Sequence, residues 1–306
     1  MKIHFNTLRL VLFGIALVLV ILLGPIVAVR ADAAYSYGVS AYPALVPFDN
    51  DVIYWPIGVA FDGHNLWYSQ PSNHTADIFL TTTTGHLLRT LSVVNQAGAL
   101  AWDGNFLWVA IAANNPNGVT CTPGVSGCAL LYQVDVVRNK VVKTLDISQI
   151  FAADQECNFI DGLSFDSSTG TLWGSPDIGC AFAFTGNACG VGFVYQITTA
   201  GKLLKRIQEP FGVAEVANAG NRLYMVSCSL PGHHGQRPVF TTRLDGSVVA
   251  NFMTVSVSGN RESAEALAFD SETFNNACAL WVVQDYGIPF DASLAAYKVP
   301  CPSNAP

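Results

Sequence analysis

The sequence predicts an all-β fold, a β-propeller of five four-stranded blades closed into a ring by an N-terminal strand. Three observations predict it. A phrase of apolar alternation, a Gly/Asp/Asn/Ser turn and a second apolar run, first seen as "GVAFDGHNLWYS" from Gly58, recurs five times. A second hairpin phrase follows each of the first four copies. The last copy is one strand short, while the segment Tyr35 to Trp55 stands before the first copy without a partner.

The N-terminus is a separate element. Lys2 and Arg9 precede the apolar run "LVLFGIALVLVILLGPIVAV", and Ala31-Asp32-Ala33 follows as an A-x-A cleavage pattern, the layout of a secretory signal peptide. The run is also nearly long enough to span a bilayer, so an uncleaved N-terminal anchor is the rival reading. Either one places the rest of the chain outside the cytoplasm, secreted or tethered through this segment alone. Residues 1–33 are therefore set aside, and 34–306 read as one domain.

The remaining copies are "ALAWDGNFLWVA" from Ala99, "GLSFDSSTGTLWGS" from Gly162, "GVAEVANAGNRLYMVS" from Gly212 and "ALAFDSETFNNACALWVV" from Ala266. Each supplies strands a and b. The second phrases are "DIFLTTTTGHLLRTLSV", "LLYQVDVVRNKVVKTLDI", "FVYQITTAGKLLKRIQEP" and "PVFTTRLDGSVVANFMT". They supply strands c and d, with Thr84-Gly85, Arg138-Asn139, Ala200-Gly201 and Asp245-Gly246 at the turns. Four-stranded units at this period are propeller blades: one twisted sheet has two apolar faces, and stacking sheets around an axis buries both. Phe61, Trp67, Trp102, Trp108, Phe165, Trp173, Phe269 and Trp281 are expected between blades. Asp62, Asp103, Asp166 and Asp270 are expected to bond their own a–b turns. After "ALWVVQ" only "SLAAYKV" remains, so the N-terminal strand is expected to complete the last blade and remove an open edge. Six blades are possible if residues 35–55 and a long insertion hide a degenerate one.

Composition narrows the function. Half of the chain (51%) is hydrophobic and 12% is charged, which supports a large core; the formal net charge of -7 and the lack of a basic stripe argue against nucleic acid. Eight cysteines suit an oxidising compartment, and none forms a CxxC pair. Proximity suggests Cys121 with Cys128, Cys180 with Cys189 and Cys278 with Cys301, leaving Cys157 and Cys228; other connectivities stay open. Asn73-His74-Thr75 is a glycosylation sequon. No GxSxG elbow, HExxH, Walker loop or GxGxxG signature is present.

The five "GVAFDG…LW" phrases and their paired hairpins resemble the broad superfamily of NHL-repeat, SMP-30/gluconolactonase-like and virginiamycin-lyase-like propellers. The resemblance covers nearly all of the mature chain and is specific for architecture. It implies a divalent metal, Ca²⁺ or Mg²⁺, held by carboxylates near the axis, and for the lyase-like members a His acting with that metal.

The b–c loops are long: "AIAANNPNGVTCTPGVSGC", "GSPDIGCAFAFTGNAC" and "SCSLPGHHGQRP". Long loops gathered on one rim usually carry function, and disulfides would stiffen them. The residues just before strand a, Ile57, Gly98, Asp161, Phe211 and Glu265, should ring the channel mouth on that rim. Asp161 and Glu265 are the candidate pair, as metal ligands or as acid/base groups. His233 and His234 in the fourth loop are candidate bases, with His74 in the first; Asp177, Asp285 and Asp291 fall on the same rim. Glu215 departs from its copies, either as a buried acid in the aromatic slot of strand a or because the fourth copy is shifted in register. The expected function is an extracytoplasmic propeller binding a small molecule, glycan or protein through the Cys-rich face. The alternative is a metal-dependent hydrolase (lactonase-like) or lyase at the channel mouth.

Overall fold

A computed structural model describes residues 46–47, 56–70, 78–94, 96–111, 126–152, 160–176, 192–227, 237–254, 263–274, 277–285 and 292–302. They lie within the compact unit Tyr35–Pro306 and form twenty strands and one short helix, α1 (Ser148–Ala152). The strands make five four-stranded antiparallel sheets. Blade one is β2 (Gly58–Phe61), β3 (Asn65–Ser69), β4 (Ile78–Thr82) and β5 (Leu87–Leu91); blade two is β6 (Ala97–Trp102), β7 (Leu107–Ile111), β8 (Leu130–Asp135) and β9 (Lys140–Asp146). Blade three is β10 (Ile160–Asp166), β11 (Thr171–Pro176), β12 (Gly192–Thr198) and β13 (Leu203–Glu209). Blade four is β14 (Val213–Ala219), β15 (Arg222–Ser227), β16 (Pro238–Arg243) and β17 (Val248–Met253). Blade five is β18 (Ser263–Asp270), β19 (Cys278–Asp285), β20 (Ala292–Val299) and, as its outer strand, β1 (Val46–Pro47).

The innermost strands touch in a closed circuit, β2 to β6 to β10 to β14 to β18 and back to β2, so the sheets form a five-bladed propeller. The ring closes as the sequence predicts: Val46 stands opposite Leu294 and Pro47 opposite Ser293. A proline is tolerated there because an outer strand has a free N–H side.

Turn chemistry fixes each blade. The c–d hairpins place Gly85, Asn139, Gly201 and Gly246 at φ of 86°, 53°, 81° and 88°, the left-handed region that Gly and Asn tolerate. At the a–b turns Asp62 Oδ1 accepts from the amides of His64 and Asn65, and Asp103 Oδ1 from those of Asn105 and Phe106. The second oxygen reaches further, into strand b. Trp67, Trp108 and Trp281 donate their indole N–H to Asp62, Asp103 and Asp270 at 3.1, 2.8 and 2.8 Å. Blade three departs: Ser168 and Thr169 hydroxyls occupy Asp166, and the buried Trp173 Nε1 has no partner among the described residues.

The core is five apolar layers, one between each pair of neighbouring blades. Trp67, Trp108, Trp173, Tyr224 and Trp281 each sit in one of them, almost fully buried. Phe61, Trp102, Phe165 and Phe269 are only half-buried at the edges of these layers. Cys278 and Cys301 form a disulfide, Cα–Cα 5.1 Å, that ties the tail after β20 to the start of β19. Cys128 is also disulfide-bonded, and its partner lies outside the described residues, as do Cys121, Cys157, Cys180, Cys189 and Cys228. Among the described residues no helix is long and apolar enough to cross a membrane. Residues 1–33 lie outside the described part.

Candidate functional site

Strand pairing gives the true alignment of the five copies. Opposite the strand-b aromatics Trp67, Trp108, Trp173, Tyr224 and Trp281 stand Ala60, Ala101, Ser164, Ala217 and Ala268. Two residues earlier in strand a lie Gly58, Ala99, Gly162, Glu215 and Ala266. The fourth copy is therefore shifted in register. Its aromatic slot holds Asn218, and its residue before the repeat is Ala214 rather than Phe211. Phe211 instead packs in the layer between blades three and four, stacked on Phe240 at 4.0 Å. The ring of residues entering strand a is Ile57, Gly98, Asp161, Ala214 and Glu265.

These positions stand out for a backbone reason. In blades two to five the register of strand a slips just here, between Ala97 and Leu100, Ile160 and Gly162, Val213 and Glu215, and Ala264 and Ala266. Each slip is a β-bulge, which leaves one residue without a cross-strand partner and re-aims its side chain. Asp161 and Glu265 are the bulged residues of blades three and five.

Glu215 joins them from blade four. It fills a slot that the other copies give to Gly or Ala, and it is 2% exposed. Its Oε1 accepts from the backbone amides of Leu163 in blade three and of Val216, both at 3.1 Å. Its Oε2 is buried with no partner among the described residues. The close approach of blades three and four needs a glycine at 162: a Cβ there would lie 2.6 Å from the Val216 amide nitrogen and 2.8 Å from Glu215 Cα. Ser175, opposite Gly162, donates across the same seam to the Ala214 carbonyl at 3.1 Å.

The charges of Asp161 and Glu265 both act on Glu215. Burial raises Glu215 well above the usual carboxylate range; the charge of Asp161 adds to the rise, the two backbone amides oppose it, and Glu265 adds a smaller rise. Glu265 is ion-paired: Arg237, just before β16, donates to its Oε2 at 3.0 Å. The result is a carboxyl group that holds its proton more tightly than usual, a second acid acting on it, and an ion pair, around one end of the channel.

Among the described residues no three His, Cys, Asp or Glu side chains stand together as a metal-holding group. With Glu265 already carrying a guanidinium, the described donors alone do not fit a resident divalent ion. His74, His233, His234, Asp177 and Asp291 lie outside the described residues; Asp285 pairs with Ser263 at the end of β19.

The opposite end of the channel is different. A cavity of about 380 Å³ opens there, lined by the a–b turns of all five blades and by Phe61, Trp102, Phe165 and Phe269. The repeat pattern alone assigns these aromatics to the core between blades and points only to the long-loop rim. Their recurrence at one slot was the available signal.

Fold and site define a five-bladed β-propeller with an acidic channel mouth. No protein-family model matches the chain, and no curated protein matches it. Solved structures resemble the chain at low identity, with TM-scores below 0.5. Hydrazine synthase of Kuenenia stuttgartiensis is 16% identical with a TM-score of 0.43, over 77% of this chain and 58% of that one. The tail fiber of Staphylococcus aureus phage P68 is 11% identical with a TM-score of 0.49, over 86% of this chain and 52% of that one. A protein of unknown function from Bacteroides caccae is 9% identical with a TM-score of 0.38, over 72% and 68%. The chain thus spans between half and about two thirds of the structures it matches.

Proposed function

We propose that this protein is an extracytoplasmic binding propeller that holds a polar small molecule or glycan at the acidic channel mouth. One observation carries the reading: Glu215, a carboxyl group buried in a Gly/Ala slot, with Oε2 bare among the described residues and with Asp161 and Glu265 acting on it. A carboxyl group that keeps its proton donates, carboxylate oxygens accept, and the Arg237 guanidinium donates. That mixture suits hydroxyl and amide groups rather than a bare ion. The b–c loops on this rim, with their cysteines, supply the rest of the surface, and the N-terminal segment and the disulfide suit an oxidising compartment outside the cytoplasm.

The test is a glycan array followed by calorimetry on hits, with Glu215→Gln and Asp161→Asn beside the parent chain. Binding that each substitution weakens about tenfold or more supports the reading. Binding unchanged in both would overturn it. Thermal shifts with Ca²⁺, Mg²⁺ and EDTA address the second reading. A metal-dependent rise in stability that Asp161→Asn with Glu265→Gln abolishes would point instead to the hydrolase or lyase implied by the SMP-30-like and virginiamycin-lyase-like resemblance.

A further inference from the structure

The turn-end cavity is built from the repeat itself. Four of five blades put an aromatic at its wall: Phe61, Trp102, Phe165 and Phe269. Trp102 lies against the buried Trp67, ring centroids 6.4 Å apart and 14° from coplanar, which fixes it as a rigid wall. Carboxylates stand beside these rings. Asp62 and Asp103 are held by backbone amides and by an indole N–H each, so their oxygens cannot swing away. Glu272 is exposed on the blade-five turn and reaches toward blade one, where a Cβ on Gly63 would lie 3.5 Å from its Oε2. Among the described residues lining the cavity, none carries a positive side chain.

Aromatic faces attract cations through their quadrupole, and fixed carboxylates reinforce that attraction. An anionic ligand meets only repulsion here. A purely apolar one takes water from the exposed Glu272 carboxylate and replaces it with nothing. We propose that the turn-end mouth binds an organic cation with an apolar shell, a quaternary or tertiary ammonium group. The walls contact its methyl or methylene groups, and Asp62, Asp103 and Glu272 supply the opposing charge. This site is separate from the acidic mouth and does not depend on it.

Choline and its neutral isostere 3,3-dimethylbutan-1-ol form the test pair, read by tryptophan fluorescence and calorimetry on the full chain at fixed ionic strength. Choline should bind saturably, at least about tenfold more tightly than the alcohol. Trp102→Leu should abolish that preference. Glu272→Lys alters only an exposed side chain, keeps the fold, and should weaken choline severalfold without changing the alcohol. Equal binding of the two probes, no saturable choline binding, or an unchanged choline affinity in Glu272→Lys would each overturn the proposal.

Discussion

The two ends of the channel are made by opposite uses of the same repeat. At the turn end four of the five blades obey it: an aromatic, then a turn, whose Asp in three blades also holds the strand-b tryptophan. At the loop end the features that matter are departures: bulges at Asp161 and Glu265, and Glu215 in a Gly/Ala slot. The comparison teaches that regularity builds the frame and a rigid mouth, while irregularity introduces polar groups the frame does not need. A third departure fits the pattern. Blade two ends strand d in the buried Ile147, packed 3.7 Å from where a Cβ on Gly201 would be. Blade three puts Glu209 in the same place, with Oε1 3.2 Å from a Cβ built on Gly246. Glu209 is fully buried, and neither carboxylate oxygen has a partner among the described residues.

The frame should break most severely where the repeat is strictest. Trp108→Ala removes a fully buried indole between blades two and three together with its bond to Asp103. A loss of about 3–5 kcal/mol is expected, measured by denaturant unfolding of the full chain.

The Glu209 departure makes a pH-dependent prediction. Burial, with Asp245 nearby, pushes its carboxyl up to about 7 from the ordinary 4.5. The folded state then holds a proton that the unfolded state releases, so stability falls as pH rises from about 4.5 to about 7 and levels off above. Glu209→Ile, copying blade two, should therefore stabilise the chain by about 3 kcal/mol at pH 8, a gain that shrinks toward pH 4.5. A gain equal at both pH values would show that packing, not ionisation, sets the cost.

At the seam between blades three and four, Gly162→Ala should cost about 1–3 kcal/mol, because its Cβ meets the β14 backbone as well as the Ser175 hydroxyl, which bonds across the same seam. It should also disturb the acidic mouth while sparing choline binding at the turn end. The smallest effect sharpens the contrast between blades. Trp281→Phe loses a bond to the Asp270 carboxylate and should cost about 1–2 kcal/mol beyond the loss of ring area. Trp173→Phe removes an N–H with no partner among the described residues and should cost less.

Most of the frame was legible. Five phrases, paired hairpins and a missing last strand led to five blades and the closure by β1, because turn residues and strand alternation are local signals. The site was legible only in part. Asp161 and Glu265 stand out in the sequence as acids at strand starts; the bulges they occupy are set by cross-strand pairing and leave no mark in the sequence. Glu215 stayed ambiguous because the fourth copy was aligned on Gly212; aligning on Leu223-Tyr224 against Leu66-Trp67 puts it at the channel. Arg237 gave no sequence signal, since it meets Glu265 only across the seam between blades. The indole–carboxylate bonds are hidden for a different reason: the separation between turn and strand residue is 5, 5 and 11 in the three copies.

The central claim is that Glu215 is a buried acid sharing one mouth with Asp161 and Glu265. A carboxyl-carbon NMR titration of the full chain tests it directly, with Glu209→Gln as background to remove the other raised group. The account predicts one glutamate titrating well above the usual range, lost in Glu215→Gln and lowered by Asp161→Asn. All glutamates titrating in the ordinary range, or a raised group indifferent to Asp161→Asn, would contradict it.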